Sequence, residues 1–163
     1  MNEYEIRVVD GKPRQLAAMR GATSRAELPR TILKLLDTVW PVLRAQRVLT
    51  GHNVVIYFGG LAHIEAGVEV FSDFVDVGDV LHSQTPAGPA VTTAHWGDYS
   101  EMAGAYAALE RWCVANGRRQ TGTSWEVYGD WADDPKERRT DIYAALIVGS
   151  VSTTDSLRFK LGR

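Results

Sequence analysis

The sequence predicts an α+β fold in which one βαββ plan is written twice, and three observations lead there. Apolar periodicity runs in the order strand, helix, strand, strand, and then the same order recurs. A stretch punctuated by Gly78, Pro86, Gly88 and Pro89, over residues 72–89, separates the two runs as a connector. The junctions also match in order: Arg20-Gly21-Ala22-Thr23-Ser24 aligns with Trp96-Gly97-Asp98-Tyr99-Ser100, and Tyr57-Phe58-Gly59 with Tyr128-Gly129-Asp130.

Residues 4–10 read as a short β segment, which 15–20 extend beyond the Gly11-Lys12-Pro13 turn. Ser24 then stands as a helix N-cap, with Glu27 three residues on completing a capping box. Leu28, Ile32, Leu35, Leu36, Val39 and Leu43 recur at helical spacing to about Arg47. Pro41 should kink or break that helix just after Trp40, because proline lacks an N–H and clashes with the preceding turn. Residues 53–58 (NVVIYF) and 64–71 (IEAGVEVF) are strands, the first ended by Gly59-Gly60. In the second half, 90–97 is a strand and Asp98 or Ser100 caps a helix over about 101–115. Its apolar face is Met102, Ala105, Tyr106, Leu109, Trp112 and Cys113, and Asn116-Gly117 stops it. Strands at 123–131 and 141–148 complete the repeat. The pseudo-repeats thus span about 4–71 and 90–148 of a single domain covering 1–163.

Composition bounds the function. With 45% hydrophobic and 23% charged residues the chain is ordinary globular material, long enough to bury about two-thirds of its unfolded surface. The lone Cys113 excludes an intramolecular disulfide and points to a reducing compartment. The N-terminus lacks the basic and apolar regions of a signal peptide, and no window approaches the roughly 18 apolar residues of a membrane helix. A cytoplasmic protein away from membranes is therefore expected. A net charge of −2 and a pI near 6.1 argue against a broad nucleic-acid footprint. The basic run Lys136-Glu137-Arg138-Arg139 is balanced locally by Asp133 and Asp134. No DNA-binding segment precedes Tyr4, so a stand-alone protein without direct DNA contact is expected; a homodimer is compatible. His52, His63, His82 and His95 show no metal spacing, and Asp73, Asp76 and Asp79 lack the pattern of a calcium loop. There is no nucleophile elbow, phosphate loop or dinucleotide fingerprint. Neither a metal nor a cofactor is expected.

The string Gly122-Thr123-Ser124-Trp125-Glu126-Val127-Tyr128-Gly129-Asp130-Trp131, followed by Asp133-Asp134-Pro135 and Thr140-Asp141-Ile142-Tyr143, resembles the C-terminal signature of the GyrI-like family. This is the bacterial transcription-activator effector-binding domain. His95-Trp96-Gly97-Asp98-Tyr99 resembles the same family's entry to its second half. The likeness follows element order along the whole chain and is concentrated in residues 90–145. It implies two βαββ modules of the SHS2 kind about a pseudo-two-fold axis, forming an antiparallel sheet. Helices would cover one side, and a groove for drug-like ligands would lie on the other. Members of the family occur fused to helix-turn-helix activators, as gyrase-inhibitor-like proteins, and as hydrolases that open cyclopropane rings of genotoxic natural products.

Alternate strand side chains share a face, so Glu126 and Tyr128 point one way and Trp125, Val127 and Gly129 the other. With Val127 taken as core, Glu126 and Tyr128 are expected in the groove opposite the helices. Tyr57 is the pseudo-symmetric partner of Tyr128. A partly desolvated carboxylate among aromatic rings attracts cations and gains proton affinity, which also suits it to acid–base work. Trp40 and Trp96 are groove candidates, Trp131 a rim candidate, Phe71 and Tyr143 wall candidates, and Glu65 a second acid. Trp112 and Trp125 are assigned to packing. The leading expectation is a binding protein for hydrophobic aromatic or cationic drug-like compounds, serving sequestration, sensing or resistance. One alternative is a cyclopropane-opening hydrolase in which Glu126 activates water with Tyr128 as a second catalytic group. Another is a protein-interaction role such as gyrase modulation.

Overall fold

A computed structural model of the chain describes residues 3–149, so part of the expected 1–163 domain lies outside the described residues. In chain order its elements are β1 (Arg7–Gly11), β2 (Gln15–Gly21), α1 (Leu28–Ala45), β3 (Thr50–Phe58), β4 (Ile64–Val70), β5 (Leu81–Gln84), β6 (Gly88–Trp96), α2 (Ala103–Ala115), β7 (Gln120–Tyr128) and β8 (Arg139–Leu146). The strands form one antiparallel sheet in the order β1-β6-β8-β7-β3-β4-β2-β5. The units β2-α1-β3-β4 and β6-α2-β7-β8 therefore lie in reversed order about the β7–β3 pair, as a pseudo-two-fold axis requires.

Each unit is completed by a strand from elsewhere. By sequence β1 is expected to run on into β2, and residues 72–89 to be a plain connector. Instead β1 pairs with β6 on the far flank, and the connector supplies β5 to β2. β7 also stops at Tyr128 rather than Trp131, because the chain leaves the sheet where Gly129 passes against the Arg139 carbonyl. β6 in turn starts at Gly88.

The helices form where apolar spacing predicts them. Leu35, Leu36, Val39 and Leu43 of α1 are buried, with Leu28 and Ile32 packed beside them. The helix begins four residues after Ser24, with Pro29 in its first turn, where a missing N–H is harmless. Ser24 Oγ still accepts the Glu27 N–H at 3.3 Å, closing the turn that leads in. Of the kink or break expected at Pro41, the break does not occur: the helix continues through Pro41 to Ala45. α2 buries Ala105, Ala108, Leu109 and Cys113. Among the described residues, no helix is long and apolar enough to cross a membrane.

The sheet is strongly curled, and chain length alone requires it. β1 and β2 stand six interstrand steps apart, about 29 Å in a flat sheet at ~4.8 Å per step. Only residues 12–14 join Gly11 to Gln15, a reach of roughly 14 Å. The flanks must fold toward one another over the face that carries no helix. That is why Leu16, Ala18, Val54, Ile56, Ala90 and Val127 are buried on that face without a helix above them. The tightest approach is at Gly67, where an added Cβ would lie 2.2 Å from the Ala17 carbonyl oxygen and 2.6 Å from the Ala18 Cβ. Gly67→Ala should accordingly cost about 3 kcal/mol, the upper part of the overpacking range. Urea unfolding would show it as a lower midpoint; an unchanged midpoint would mean the sheet is not so tightly curled there.

Candidate functional site

Glu126 lies on β7 at the seam of the two halves. Its register neighbours are Val55 on β3 and Ile142 on β8. Val55 belongs to the cluster beneath α1, and Ile142 to the cluster beneath α2. The carboxylate thus sits on the line where the two helix-covered cores meet, and it is 2% exposed. Three tyrosines from three elements converge on it. Tyr57 of β3 and Tyr128 of β7 donate to Oε1 at 3.0 and 2.6 Å, and Tyr106 of α2 donates to Oε2 at 2.7 Å.

The electrostatics follow from burial. Loss of water pushes the Glu126 carboxyl above its ordinary range, and the hydroxyls of Tyr128, Tyr106 and Tyr57 pull it part of the way back. Burial likewise raises the three tyrosines, and the adjoining carboxylate adds to the effect, so they remain neutral donors. Among the described residues, no lysine, arginine or histidine pairs with Glu126.

The structure brings Glu126, Tyr128 and Tyr57 together but reverses their expected side: they face the helices. Both faces of a curled sheet are buried, so a buried Val127 does not report which face lies under α1 and α2. Trp40 shares the helix side, donating its indole N–H to Asn53 Oδ1 at 2.9 Å and packing on the α1 cluster as Tyr128 does. The other candidates lie apart. Phe71 and Tyr143 line a groove on the opposite, concave face; Trp125 packs in the core cluster of that face, as its assignment to packing expects, and borders the groove as well. Glu65 shares that face and accepts from Ser83 Oγ at 3.2 Å. Trp96 is exposed beneath the Arg139 guanidinium.

Sequence reasoning missed Tyr106, which reads as one more apolar position on α2, and Tyr99. A tyrosine on the buried face of a helix otherwise rich in alanine was the available signal, since its hydroxyl must find a partner. Tyr99 meets Tyr128 edge-on, with centroids 5.5 Å apart. Its loop is fixed by buried His95, whose Nε2–H donates to the Asp98 carbonyl at 3.0 Å while Nδ1 accepts from the Tyr4 hydroxyl. Arg138 lies 3.7 Å over the Trp131 ring and 6.0 Å from that of Tyr99, so Trp131 stands at the outer end of this aromatic series.

No protein-family model matches the sequence, and no curated protein matches it. Solved structures do. The EcmrR C-terminal domain superposes with a TM-score of 0.72 at 21% identity, over 88% of this chain and 98% of that one. SAV2435 bound to tetraphenylphosphonium gives 0.60 at 8% identity, over 94% and 99%. The chain has the GyrI-like effector-binding fold. A hydrolase from Listeria innocua is similar to it as well, with a TM-score of 0.64 at 11% identity over 88% and 92%. In this GyrI-like fold the seam between the two modules is where Glu126 lies.

The raised carboxyl has a definite sign in stability. A group whose folded pKa exceeds its unfolded value, about 4.3 for glutamate, stabilises the fold fully below that value and loses the effect as pH rises through the folded pKa. Wild type should therefore lose stability relative to Glu126→Gln as the pH of urea unfolding is taken from 4 to 8. Tyr106→Phe, which removes a donor to the charged form, should raise the carboxyl further in a 13C titration. A pH-independent difference between wild type and Glu126→Gln would show an unperturbed carboxyl instead.

Proposed function

We propose that the chain binds hydrophobic, aromatic compounds carrying a delocalised positive charge, with Glu126 as counter-charge and the tyrosines as the surrounding wall. The observation that supports this reading is a fully buried carboxylate held by neutral hydroxyls alone. Buried carboxylates are ordinarily paired with a cation, because desolvating a lone charge costs several kcal/mol. A core built only for stability has no need of such a group. An incoming organic cation supplies the missing charge, and the ring faces of Tyr57, Tyr106 and Tyr128 add cation–π attraction. A soft, spread charge suits the site better than an ammonium ion, because less hydration is lost on entry. The complex of SAV2435 with tetraphenylphosphonium gives the same fold a ligand of this class. Because Glu126 is 2% exposed, entry requires the hydroxyls to turn aside. The role is sequestration or sensing, in the cytoplasm.

Calorimetric titration with tetraphenylphosphonium tests the assignment. Glu126→Gln should weaken binding by about 1–3 kcal/mol, roughly five- to 150-fold, while a neutral compound of like shape, triphenylphosphine oxide, binds both forms equally. Equal affinity of the two proteins for a panel of cations would remove Glu126 from the role.

One observation favours a second reading, a hydrolase acting on strained rings: a raised carboxyl with a tyrosine hydroxyl at 2.6 Å pairs a general base with an acid. Glu126 would take a proton from water as its oxygen attacks a cyclopropane carbon. The carbon freed by the broken C–C bond would take the proton of Tyr128, and Glu126 would return the water's proton to the Tyr128 oxygen 2.6 Å away. Binding is preferred because both carboxylate oxygens are engaged by tyrosines. Mass spectrometry of a cyclopropane-bearing alkylating compound separates the two readings. Repeated gain of one water by wild type, lost in Glu126→Gln, would make the protein a hydrolase.

A further inference from the structure

The concave face holds a groove of about 520 Å³ on the far side of β7 from Glu126, a volume within the range of small-molecule sites. Its position follows from the curl of the sheet. The short link between β1 and β2 crosses the mouth of the concave face and places Lys12 and Arg14 on one wall, with Glu69 and Phe71 at the end of β4 also lining it. Trp125 of β7 and Tyr143 of β8, register partners, also line it. Their rings lie parallel within 4° at 5.2 Å, so Trp125 is buried at 5% exposure while Tyr143 stays only partly buried. Phe71, 65% exposed, is an aromatic side chain left in water at this groove.

The polar part of the groove is built rather than incidental. Arg14 Nη1 donates to both oxygens of Glu69 at 3.1 Å, and Glu69 is itself buried. The Arg14 backbone N–H donates to Thr85 Oγ1 at 2.8 Å, and its carbonyl accepts the Thr85 N–H at 3.1 Å. A guanidinium carries five donors in a planar fork, so the contacts to Glu69 leave further N–H groups for a second acceptor. Among the lining residues Lys12 and Arg14 outnumber Glu69, so the groove carries a net charge of one positive. It is thus opposite in preference to the Glu126 cage.

We propose that this groove is a second ligand site, for planar aromatic acids: the ring would stack against Tyr143 and Phe71, and the carboxylate would meet Arg14 and Lys12. The site is independent of the Glu126 cage. Trp125 and Glu126 are consecutive on one strand and point to opposite faces, so the protein presents an anion-accepting and a cation-accepting surface back to back.

Titration with 2-naphthoate, followed by the indole N–H resonance of Trp125 and by calorimetry, tests this. Wild type should bind saturably with a shift of that resonance, and 2-naphthamide, lacking the charge, should bind at least ten-fold more weakly. Lys12→Glu reverses the groove's net charge at an exposed position and should weaken 2-naphthoate at least ten-fold; Arg14→Gln should do the same. Phe71→Ser, also at an exposed position, should weaken acid and amide alike. Because Arg14→Gln leaves buried Glu69 unpaired and so threatens the fold, Lys12→Glu and Phe71→Ser carry the test if that variant unfolds. Glu126→Gln should leave 2-naphthoate binding unchanged. The proposal is overturned if the Trp125 resonance does not respond, if Lys12→Glu binds as wild type does, or if Glu126→Gln abolishes binding and so places the acid in the cage.

Discussion

A carboxylate buried at the seam of two half-domains, and held there by hydroxyls, is the constraint around which this molecule is arranged. Val55 and Ile142 flank Glu126 from opposite halves, so its surroundings exist only when the modules are joined. Its three donors come from β3, β7 and α2, which ties the second helix to the sheet through Tyr106 as well as through apolar contacts. Neutral donors soften the cost of desolvation without cancelling the charge. A site so built keeps an electrostatic demand that a lysine or arginine partner would have satisfied permanently. In the proposed reading, the group that would draw a cation in is also the one whose burial weakens the fold.

The curl of the sheet explains both the covered concave face and the groove left at its mouth. Most of the concavity is filled by small and branched side chains from both halves, among them Ala18, Val54, Ile56 and Ala145. Gly67 permits the closest backbone approach, and filling stops only where the β1–β2 link passes overhead. A flat sheet would have needed a third layer to bury the same residues.

Much of this was legible in the residues. Period-3.6 spacing located α1 and α2, and β-forming runs between turn residues located seven of the eight strands, because both patterns arise from local geometry. The motif around Glu126 singled out a carboxylate that proves to be buried, and the match of Tyr57 with Tyr128 singled out two of its donors. What escaped depends on long-range placement. Alternation separates Glu126 from Val127 but does not say which of the two lies under a helix when both faces are buried. Tyr106 is an apolar position by spacing, and its role appears only once α2 lies over β7. The course of β1 and the strand within the connector were likewise invisible, since Arg7–Gly11 and Leu81–Gln84 are short and find partners far along the chain. Phe71, Tyr143 and Glu65 were read as belonging to one groove with Glu126, and the sheet divides them from it.

The exchange of edge strands also governs how the chain comes together in time. Val8 pairs with Val91, so β1 has no partner until residues 88–96 exist, and Val55 pairs with Glu126, so one side of β3 waits longer still. The second module takes its edge strand from β1, made before it, and β3 stays open on one side until β7 is made. Pairings of such separation are slow to form because a long loop must close before any contact rewards it. During that interval β2, α1, β3 and β4 are all available to one another, whereas β1 waits with one face of Val8 and Val9 uncovered. The order of neighbours in the sheet thus makes β1 a waiting strand, paired only when residues 88–96 arrive, while the first module gains its own edge earlier from residues 81–84.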